Sequence, residues 1–127
     1  MLTGACVGTN KLAAAGAFYD QVLTTIGMVR IVSGSHELGY GADGGTPSLW
    51  VVVPFNEEPA TFGNGTQIMF GAKSQADVAA FHETALRLGG MDEGAPGPRD
   101  YAPDYYGAYC RDLDGNKLHV AVIRPTD

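Results

Sequence analysis

The chain has 127 residues, enough for one domain with its own core, and 45% of them are hydrophobic while 17% are charged. This composition is typical of a globular protein and excludes a disordered chain. A formal net charge of −6 disfavours nucleic acid as a partner, because phosphate contacts need clustered lysine and arginine. With no apolar run long enough for a membrane helix, no visible signal peptide and only two cysteines, we expect a cytoplasmic protein that binds no membrane.

The first half of the chain predicts a strand, a helix and three further strands. Residues 4–8 alternate as a short strand, and Asn10 is placed to cap the following helix. That helix carries an apolar stripe at helical spacing and ends at Gly27, where a left-handed residue is wanted. The remaining predicted strands of this half are residues 28–33, 37–40 and 48–53.

The second half predicts the same order of elements. A connection rich in proline and glycine leads to a strand at 66–72, and Ser74 with Asp77 starts a second helix that Gly89 and Gly90 end. Residues 91–104 predict at most one short strand. The last two strands are expected at 105–111 and 117–123, so module one is 1–53, the connection 54–65 and module two 66–127.

The two halves are an internal repeat. Sliding residues 4–27 onto 67–90 gives identities at Gly8/Gly71, Ala13/Ala76, Ala17/Ala80, Phe18/Phe81, Leu23/Leu86 and Gly27/Gly90. Looking for such periods first matters because a missed repeat misassigns the fold. The repeat predicts an α+β fold of two tandem βαβββ modules, in which each helix covers one sheet face and the other faces line a shared cup.

The stretch from Asp112 to Asn116 reads D-L-D-G-N and predicts a tight reversal, with Gly115 free to take a positive φ. In the strand that follows, alternation places Leu118 and Val120 on one face and His119 on the other. A histidine that faces away from the apolar row is a candidate functional residue.

These features resemble the vicinal oxygen chelate superfamily. The resemblance rests on the paired modules, on G-A-F-Y-D-Q-V-L at 16–23 and above all on R-D-L-D-G-N-K-L at 111–118. The superfamily includes glyoxalase I, extradiol dioxygenases, fosfomycin-resistance enzymes, methylmalonyl-CoA epimerase and bleomycin-resistance binding proteins. The resemblance implies the glyoxalase/bleomycin-resistance/dioxygenase fold over nearly the whole chain, with Leu113 in place of the usual proline. It does not specify the reaction.

Metal-dependent members hold a divalent ion such as Zn, Ni, Fe or Mn, and the resemblance places their ligand positions at Gly4, Trp50, Gln67 and His119. Only Gln67 and His119 can donate a lone pair, whereas catalytic sites generally use about three protein ligands. Ser48 could add an oxygen, but it is a poor ligand. The metal reading, with His119 and Gln67 as ligands, is therefore weaker than a cup that binds a small organic molecule.

Several residues have both a functional and a structural interpretation. Trp50 is either a stacking platform or ordinary core, and Gln67 in mid-strand favours a polar pocket because both ends of its amide need partners. His119 is a metal ligand, a general acid/base or a polar contact for an organic ligand. His82 is expected to be exposed, and Asp92 and Glu93 are expected to be solvated loop charges.

Tyrosines could line one rim of the cup together with Arg111. Alternation puts Tyr105, Tyr109 and Arg111 on one face and Tyr106, Ala108 and Cys110 on the other. The sequence leaves open which face is turned inward. Tyr109 and Arg111 are the predicted ligand-binding residues of this rim.

Three functions follow from the resemblance. The first is a glyoxalase-like protein with an incomplete set of metal ligands that binds or transforms a small molecule. The second is a metal-dependent lyase or dioxygenase, in which the ion stabilises an enolate. The third is a drug-sequestering binder without turnover, whose negative charge helps to capture a cationic drug. The family also implies a homodimer.

Overall fold

The computed structural model describes residues 1–123, which form two four-stranded sheets, each backed by one helix. The first sheet has the order β1-β4-β3-β2 and the second β5-β8-β7-β6; in each, the first pair is parallel and the others are antiparallel. The predicted fold of two βαβββ modules is confirmed. The elements are β1 (Ala5–Gly8), α1 (Leu12–Thr24), β2 (Met28–Ser33), β3 (Glu37–Ala42), β4 (Leu49–Val52), β5 (Gln67–Gly71), α2 (Gln75–Arg87), β6 (Met91–Pro98), β7 (Tyr106–Arg111) and β8 (Lys117–Val122).

The core lies between the helices and one face of each sheet. The buried stripe of α1 includes Phe18 and Val22, and that of α2 includes Val78 and Phe81. Alternate residues of the central strands, among them Leu118 of β8, complete the core. Within residues 1–123, neither helix has the length and apolar character needed to cross a membrane.

The two helix starts differ. Ser74 caps α2 as predicted, because its hydroxyl accepts a hydrogen bond from the Asp77 N–H at 3.1 Å. The prediction that Asn10 caps α1 is wrong: Lys11 is the N-cap and its side chain makes no cap bond. The Asn10 side chain instead bonds the N–H and the carbonyl of Ala60, which ties the connection between the modules to the end of β1.

Strand β6 is longer than the short strand predicted for residues 91–104. Its eight residues include Gly94, Pro96 and Gly97 and pair with β7 through two irregularities in register. An edge strand tolerates proline and bulges because only one of its sides needs regular hydrogen bonds. The glycine and proline content of this segment is therefore the reason why the sequence predicted only a short strand.

The turn at 112–116 joins the two modules. Asp114 accepts hydrogen bonds from the Thr9 hydroxyl and the Asn10 N–H, and Asn116 donates to the Gly8 carbonyl. Gly115 has φ +87°, as the predicted reversal requires. The D-L-D-G-N motif thus locks the last hairpin of module two onto the end of the first strand of module one.

Candidate functional site

The face of the second sheet turned away from α2 is called the second cup face here, and strand register orders it into rows. The rows are Gln67–Lys117–Arg111–Met91, Met69–His119–Tyr109–Gly94 and Gly71–Ala121–Gly107–Gly97, each read from β5 through β8 and β7 to β6. Ala108 and Cys110 lie in the core on the opposite face, and Tyr106 packs against it. The sequence left open which side chains of this strand face the cup. The register shows that Tyr109 and Arg111 share a face with His119.

His119 lies at the centre of this face and is 3% exposed. Its ring stacks on Tyr109 with the centroids 4.2 Å apart, and its Nε2 is 3.1 Å from the Tyr105 hydroxyl. Nδ1 is buried and has no hydrogen-bond partner within residues 1–123. Burial lowers the pKa of His119 below 6.5, and the positive charges of Arg99 and Lys117 lower it further. The imidazole is therefore neutral at neutral pH.

The segment after β6 brings another tyrosine over His119. The Tyr101 hydroxyl is 2.6 Å from the Tyr109 hydroxyl, and the Tyr101 ring meets the Tyr105 ring edge-on with centroids 5.1 Å apart. Burial and the bond to Tyr101 raise the pKa of Tyr109 to about 12. Sequence reasoning did not single out Tyr101, although the stretch Y-A-P-D-Y-Y at 101–106 was a visible aromatic signal.

Two cations lie over the Tyr109 ring. Lys117 Nζ is 5.1 Å from the ring centroid, and the guanidinium carbon of Arg99 is 5.5 Å from it. The Arg99 guanidinium also donates to the carbonyls of Pro98 and Ala95 at 3.0 and 2.8 Å. A Cβ at Gly94 would lie 3.1 Å from the Tyr109 ring and 3.3 Å from Arg99 Nη2, so glycine leaves room for this packing. Sequence reasoning missed both cations.

Arg111 lies on the same face but is held by other residues. Its Nε bonds Glu93 Oε1 at 2.5 Å, its Nη1 donates to the Gly115 carbonyl at 2.8 Å, and its guanidinium stacks over Phe62. Glu93 is solvent-exposed, as expected from the sequence, but it lies in strand β6 and not in a loop, and it is the ion-pair partner of Arg111. The positive charge of Arg111 is neutralised within the protein.

The corresponding face of the first sheet has an apolar row at its centre. Register aligns Cys6, Trp50, Gly39 and Val32 in one row across β1, β4, β3 and β2. A Cβ at Gly39 would lie 3.0 Å from the Trp50 ring, so the indole lies across the bare backbone of β3. Cys6 is exposed and Trp50 half-buried. Trp50 is therefore neither fully core nor free in solvent.

A cavity of about 540 Å³ opens at the seam between the two sheets, and both β1 and β5 line it. It brings together Gly4, Ser48 and Gln67, whereas Trp50 and His119 are not part of its lining. Gln67 and Met69 are exposed. Of the four positions that the resemblance assigns to a metal, two thus share the seam cavity, and the other two lie on the faces that flank it.

The residues at these four positions do not fit a resident divalent ion. Gly4 has no side chain, a Cβ there would lie 2.9 Å from the Ser48 carbonyl oxygen, and Trp50 offers only an N–H donor. Within residues 1–123 no group of three or more His, Cys, Asp or Glu side chains is placed to hold a metal. Arg99 and Lys117 beside His119 add a field that repels a cation.

His82 has a structural role, and the prediction that it is exposed is wrong. It is 7% exposed and its Nε2 lies 2.9 Å from Asp92 Oδ1, which also accepts from the Gly94 N–H. The hydrogen bond from His82 lowers the pKa of Asp92. The Asp92 side chain is 55% exposed, as expected of a solvated charge, but it lies in strand β6 and not in a loop, and its pair with His82 fixes the bulge that places Gly94 beside Tyr109.

Comparisons with known proteins agree with this architecture. No protein-family model matches the chain, and no curated protein matches it by sequence. Among solved structures, a glyoxalase/bleomycin resistance protein from Albidiferax ferrireducens T118 is 37% identical, with 97% of this chain and 98% of that chain covered and a TM-score of 0.85.

Two further solved structures share the fold at lower identity. A glyoxalase/bleomycin resistance protein/dioxygenase family enzyme from Burkholderia phytofirmans PsJN is 17% identical, with 96% of this chain and 98% of that chain covered and a TM-score of 0.72. A lactoylglutathione lyase from Agrobacterium tumefaciens is 22% identical, with 96% and 94% covered and a TM-score of 0.64.

Proposed function

The chain belongs to the glyoxalase/bleomycin resistance protein family within the vicinal oxygen chelate superfamily, and from this premise we propose that it binds a small organic molecule in its cup without a resident metal ion. The observation that carries the proposal is the set of residues at the family's metal positions. Gly4 and Trp50 cannot ligate a metal, and the one histidine, His119, is stacked on Tyr109 beside two cations.

The same residues supply what an organic ligand needs. Trp50 offers an aromatic surface at the apolar side of the cup, and an aromatic surface contributes both area and orientation. Gln67 presents an exposed amide, a donor and an acceptor, at the seam cavity. Tyr109 and the neutral His119 form the polar wall, while Arg111 supports the wall through Glu93 and does not take part in ligand contact.

Trp50 makes the proposal testable, because it is the one tryptophan of the chain and lies on the cup side of its sheet. We expect members of a small-molecule library to change Trp50 fluorescence and to raise the melting temperature. Gln67→Ala should weaken such a hit about tenfold, the effect of losing one good hydrogen bond. Gln21→Ala, an exposed glutamine on α1, is the matched control and should bind normally.

The proposal is contradicted if no compound affects Trp50, or if Gln67→Ala and Gln21→Ala bind every hit equally well. S-lactoylglutathione and bleomycin belong in the library because they correspond to names carried by similar structures. Binding of bleomycin by the wild type would favour the drug-sequestering reading.

Metal analysis separates the proposal from the metal-dependent lyase or dioxygenase. Protein purified without chelator should contain no stoichiometric Zn, Ni, Fe or Mn, and His119→Ala should have the same metal content as wild type. Stoichiometric metal that disappears in His119→Ala would establish the metal-dependent reading instead.

The homodimer implied by the family and the cytoplasmic location expected from the sequence stay predictions of this proposal. Sedimentation equilibrium at micromolar concentration should give twice the mass of the 127-residue chain. A monomer across the whole concentration range would contradict the dimer without affecting the ligand proposal.

A further inference from the structure

The cations over Tyr109 are unusual in a chain with a formal net charge of −6. The salt bridges formed within residues 1–123 involve Arg30, His82 and Arg111, and neither Arg99 nor Lys117 is among them. Cation–π contact with a ring compensates only part of a positive charge. This patch of the second cup face therefore keeps positive charge that carboxylates neutralise elsewhere in the protein.

Both cations are held in place before any ligand arrives. Arg99 is fixed by two backbone carbonyls and by the ring of Tyr109. Lys117 lies in the row between Gln67 and Arg111, with its Nζ over the same ring. A side chain that is already ordered loses less conformational entropy on binding, so such a site binds more tightly than flexible surface lysines.

His119 supplies an independent sign that a hydrogen-bond partner is missing here. When its Nε2 accepts the hydrogen bond from the Tyr105 hydroxyl, Nδ1 carries the ring proton and is a buried donor. Buried donors are almost always paired, and no partner for Nδ1 exists within residues 1–123. The Tyr101 and Tyr109 hydroxyls, which bond each other, add polar groups at the same place.

We propose that Arg99, Lys117, Tyr109 and His119 form a site that recognises the carboxylate of a small organic acid. The inference rests on the proposed function and names the chemical class of the ligand. The carboxylate would meet Lys117 and Arg99, and the rest of the acid would extend toward Gln67 and the seam cavity. Charge-assisted hydrogen bonds to ordered cations are among the stronger polar contacts in proteins.

The site also determines which ligands are disfavoured. The net charge of the chain suggests capture of a cationic drug, but the charges next to the ligand decide recognition, because salt screens interactions beyond about 10 Å. A cationic group placed here would face Arg99 and Lys117, and within residues 1–123 neither of these cations forms a salt bridge with a carboxylate. The local arrangement therefore reverses the preference that the overall charge indicates.

Pairs of aromatic probes that differ only in charge test the proposal. Benzoate, phenylacetate and cinnamate, each paired with its neutral amide, are titrated into ¹⁵N-labelled protein at physiological salt, with the Trp50 indole N–H and the backbone N–H groups of β8 as reporters. We expect the carboxylates to bind at least about tenfold more tightly than their amides, as for a charged compared with a neutral hydrogen bond. Equal affinity within all three pairs overturns the proposal.

Matched substitutions assign the preference to the two cations. Lys117→Met keeps most of the side-chain length and should abolish the carboxylate preference without changing amide affinity, whereas Lys73→Met, an exposed lysine outside the cup, should leave it intact. Arg99→Gln with the exposed control Arg87→Gln gives a second, independent pair. A preference that survives both Lys117→Met and Arg99→Gln contradicts the site.

Glu93→Gln provides a gain-of-function test. Loss of the Glu93 carboxylate frees the Arg111 charge in the row that contains Lys117, so carboxylate affinity should rise severalfold while amide affinity stays constant. A decrease would show that the patch does not act through its charge. Amides that bind as well as acids would refute the acid site but keep the proposed small-molecule function, whereas failure of the library screen on Trp50 would refute that function itself.

Discussion

Replacement of Asp112 should lower the free energy of unfolding more than any surface substitution, because this buried carboxylate organises the turn that joins the modules. Its Oδ2 accepts from the Tyr19 hydroxyl at 2.5 Å and from Asn116 Nδ2 at 2.8 Å. Its Oδ1 accepts from the Asp114 and Asn116 N–H groups, both at 2.9 Å. Every lone-pair position of the carboxylate thus faces a donor.

The magnitude follows from the donors that would be left behind. In Asp112→Ala the Tyr19 hydroxyl, 1% exposed, and the Asn116 groups lose their acceptor. A buried donor without a partner costs about 1 to 3 kcal/mol, so the loss of these bonds together costs several kcal/mol. Relief of the burial that raises the pKa of Asp112 offsets part of this. We expect a net loss of about 3 kcal/mol, a large share of the roughly 5 to 15 kcal/mol of a typical domain.

Asp112→Asn is the sharper variant because it keeps the shape. Each carboxylate oxygen accepts two bonds, so whichever one becomes an NH₂ group meets two donors. The isosteric change should therefore still cost about 2 kcal/mol. Asp43→Asn, at an exposed turn, is the matched control and should cost less than about 0.5 kcal/mol.

Urea unfolding followed by far-ultraviolet circular dichroism measures these differences. A double-mutant cycle with Tyr19→Phe should give a coupling free energy of about 1 to 3 kcal/mol between Tyr19 and Asp112. If Asp112→Asn unfolds at the same urea concentration as wild type, or if the coupling is zero, the turn does not lock the modules through this carboxylate.

Two further predictions concern the site and the second helix. The pKa of His119, followed by NMR, should lie below 6.5 and should rise in Lys117→Met but not in Lys73→Met, because Lys117 contributes to the lowering. The folded state then binds this proton less readily than the unfolded state. The contribution of His119 to stability is therefore complete above pH 6.5 and is lost as the pH falls through the lowered pKa. A stability difference between wild type and His119→Gln that stays constant across this pH range would contradict this sign. Ser74→Ala removes the acceptor of the Asp77 N–H and should lower the free energy of unfolding by about 1 kcal/mol, whereas Ser35→Ala, at an exposed loop position, should change it little; equal effects would show that the cap contributes nothing.

The sequence was sufficient for the elements that follow from periodicity. Gly27, predicted to end α1 in a left-handed conformation, has φ +82°, and the D-L-D-G-N reversal is present. The full length of strand β6 was not predicted, because its proline and glycine residues are typical of loops. The strand forms through its pairing with β7, which is a tertiary interaction. The N-cap at Lys11 was not predicted for a related reason. Asn10 has a side chain that is preferred at N-caps, but this side chain forms hydrogen bonds with Ala60 instead.

The charges of the site could not be assigned from the sequence. Arg99 lies in a segment that has no hydrophobic periodicity. Its neighbours in the sequence do not indicate that its guanidinium packs over the Tyr109 ring. The same is true of His82, whose partner Asp92 lies in strand β6, which the composition of residues 91–98 did not predict in full. Long-range pairs of this kind are determined by how α2, β6 and β7 pack together, and local propensity carries no information about that.

The repeat explains why the cup has two unlike sides. Register pairs Cys6 with Trp50 in module one and Met69 with His119 in module two, so Trp50 and His119 occupy equivalent positions. Their neighbours on the third strand differ in size.

In module one that neighbour is Gly39, and the Trp50 ring lies across it; in module two it is Tyr109, and the smaller imidazole of His119 stacks against it. Each module thus has one large ring in this row, on the last strand in module one and on the neighbouring third strand in module two. The exchange leaves an apolar wall in one module and a wall of hydroxyls and cations in the other, so a ligand with one apolar and one anionic end would have a single favourable orientation between them.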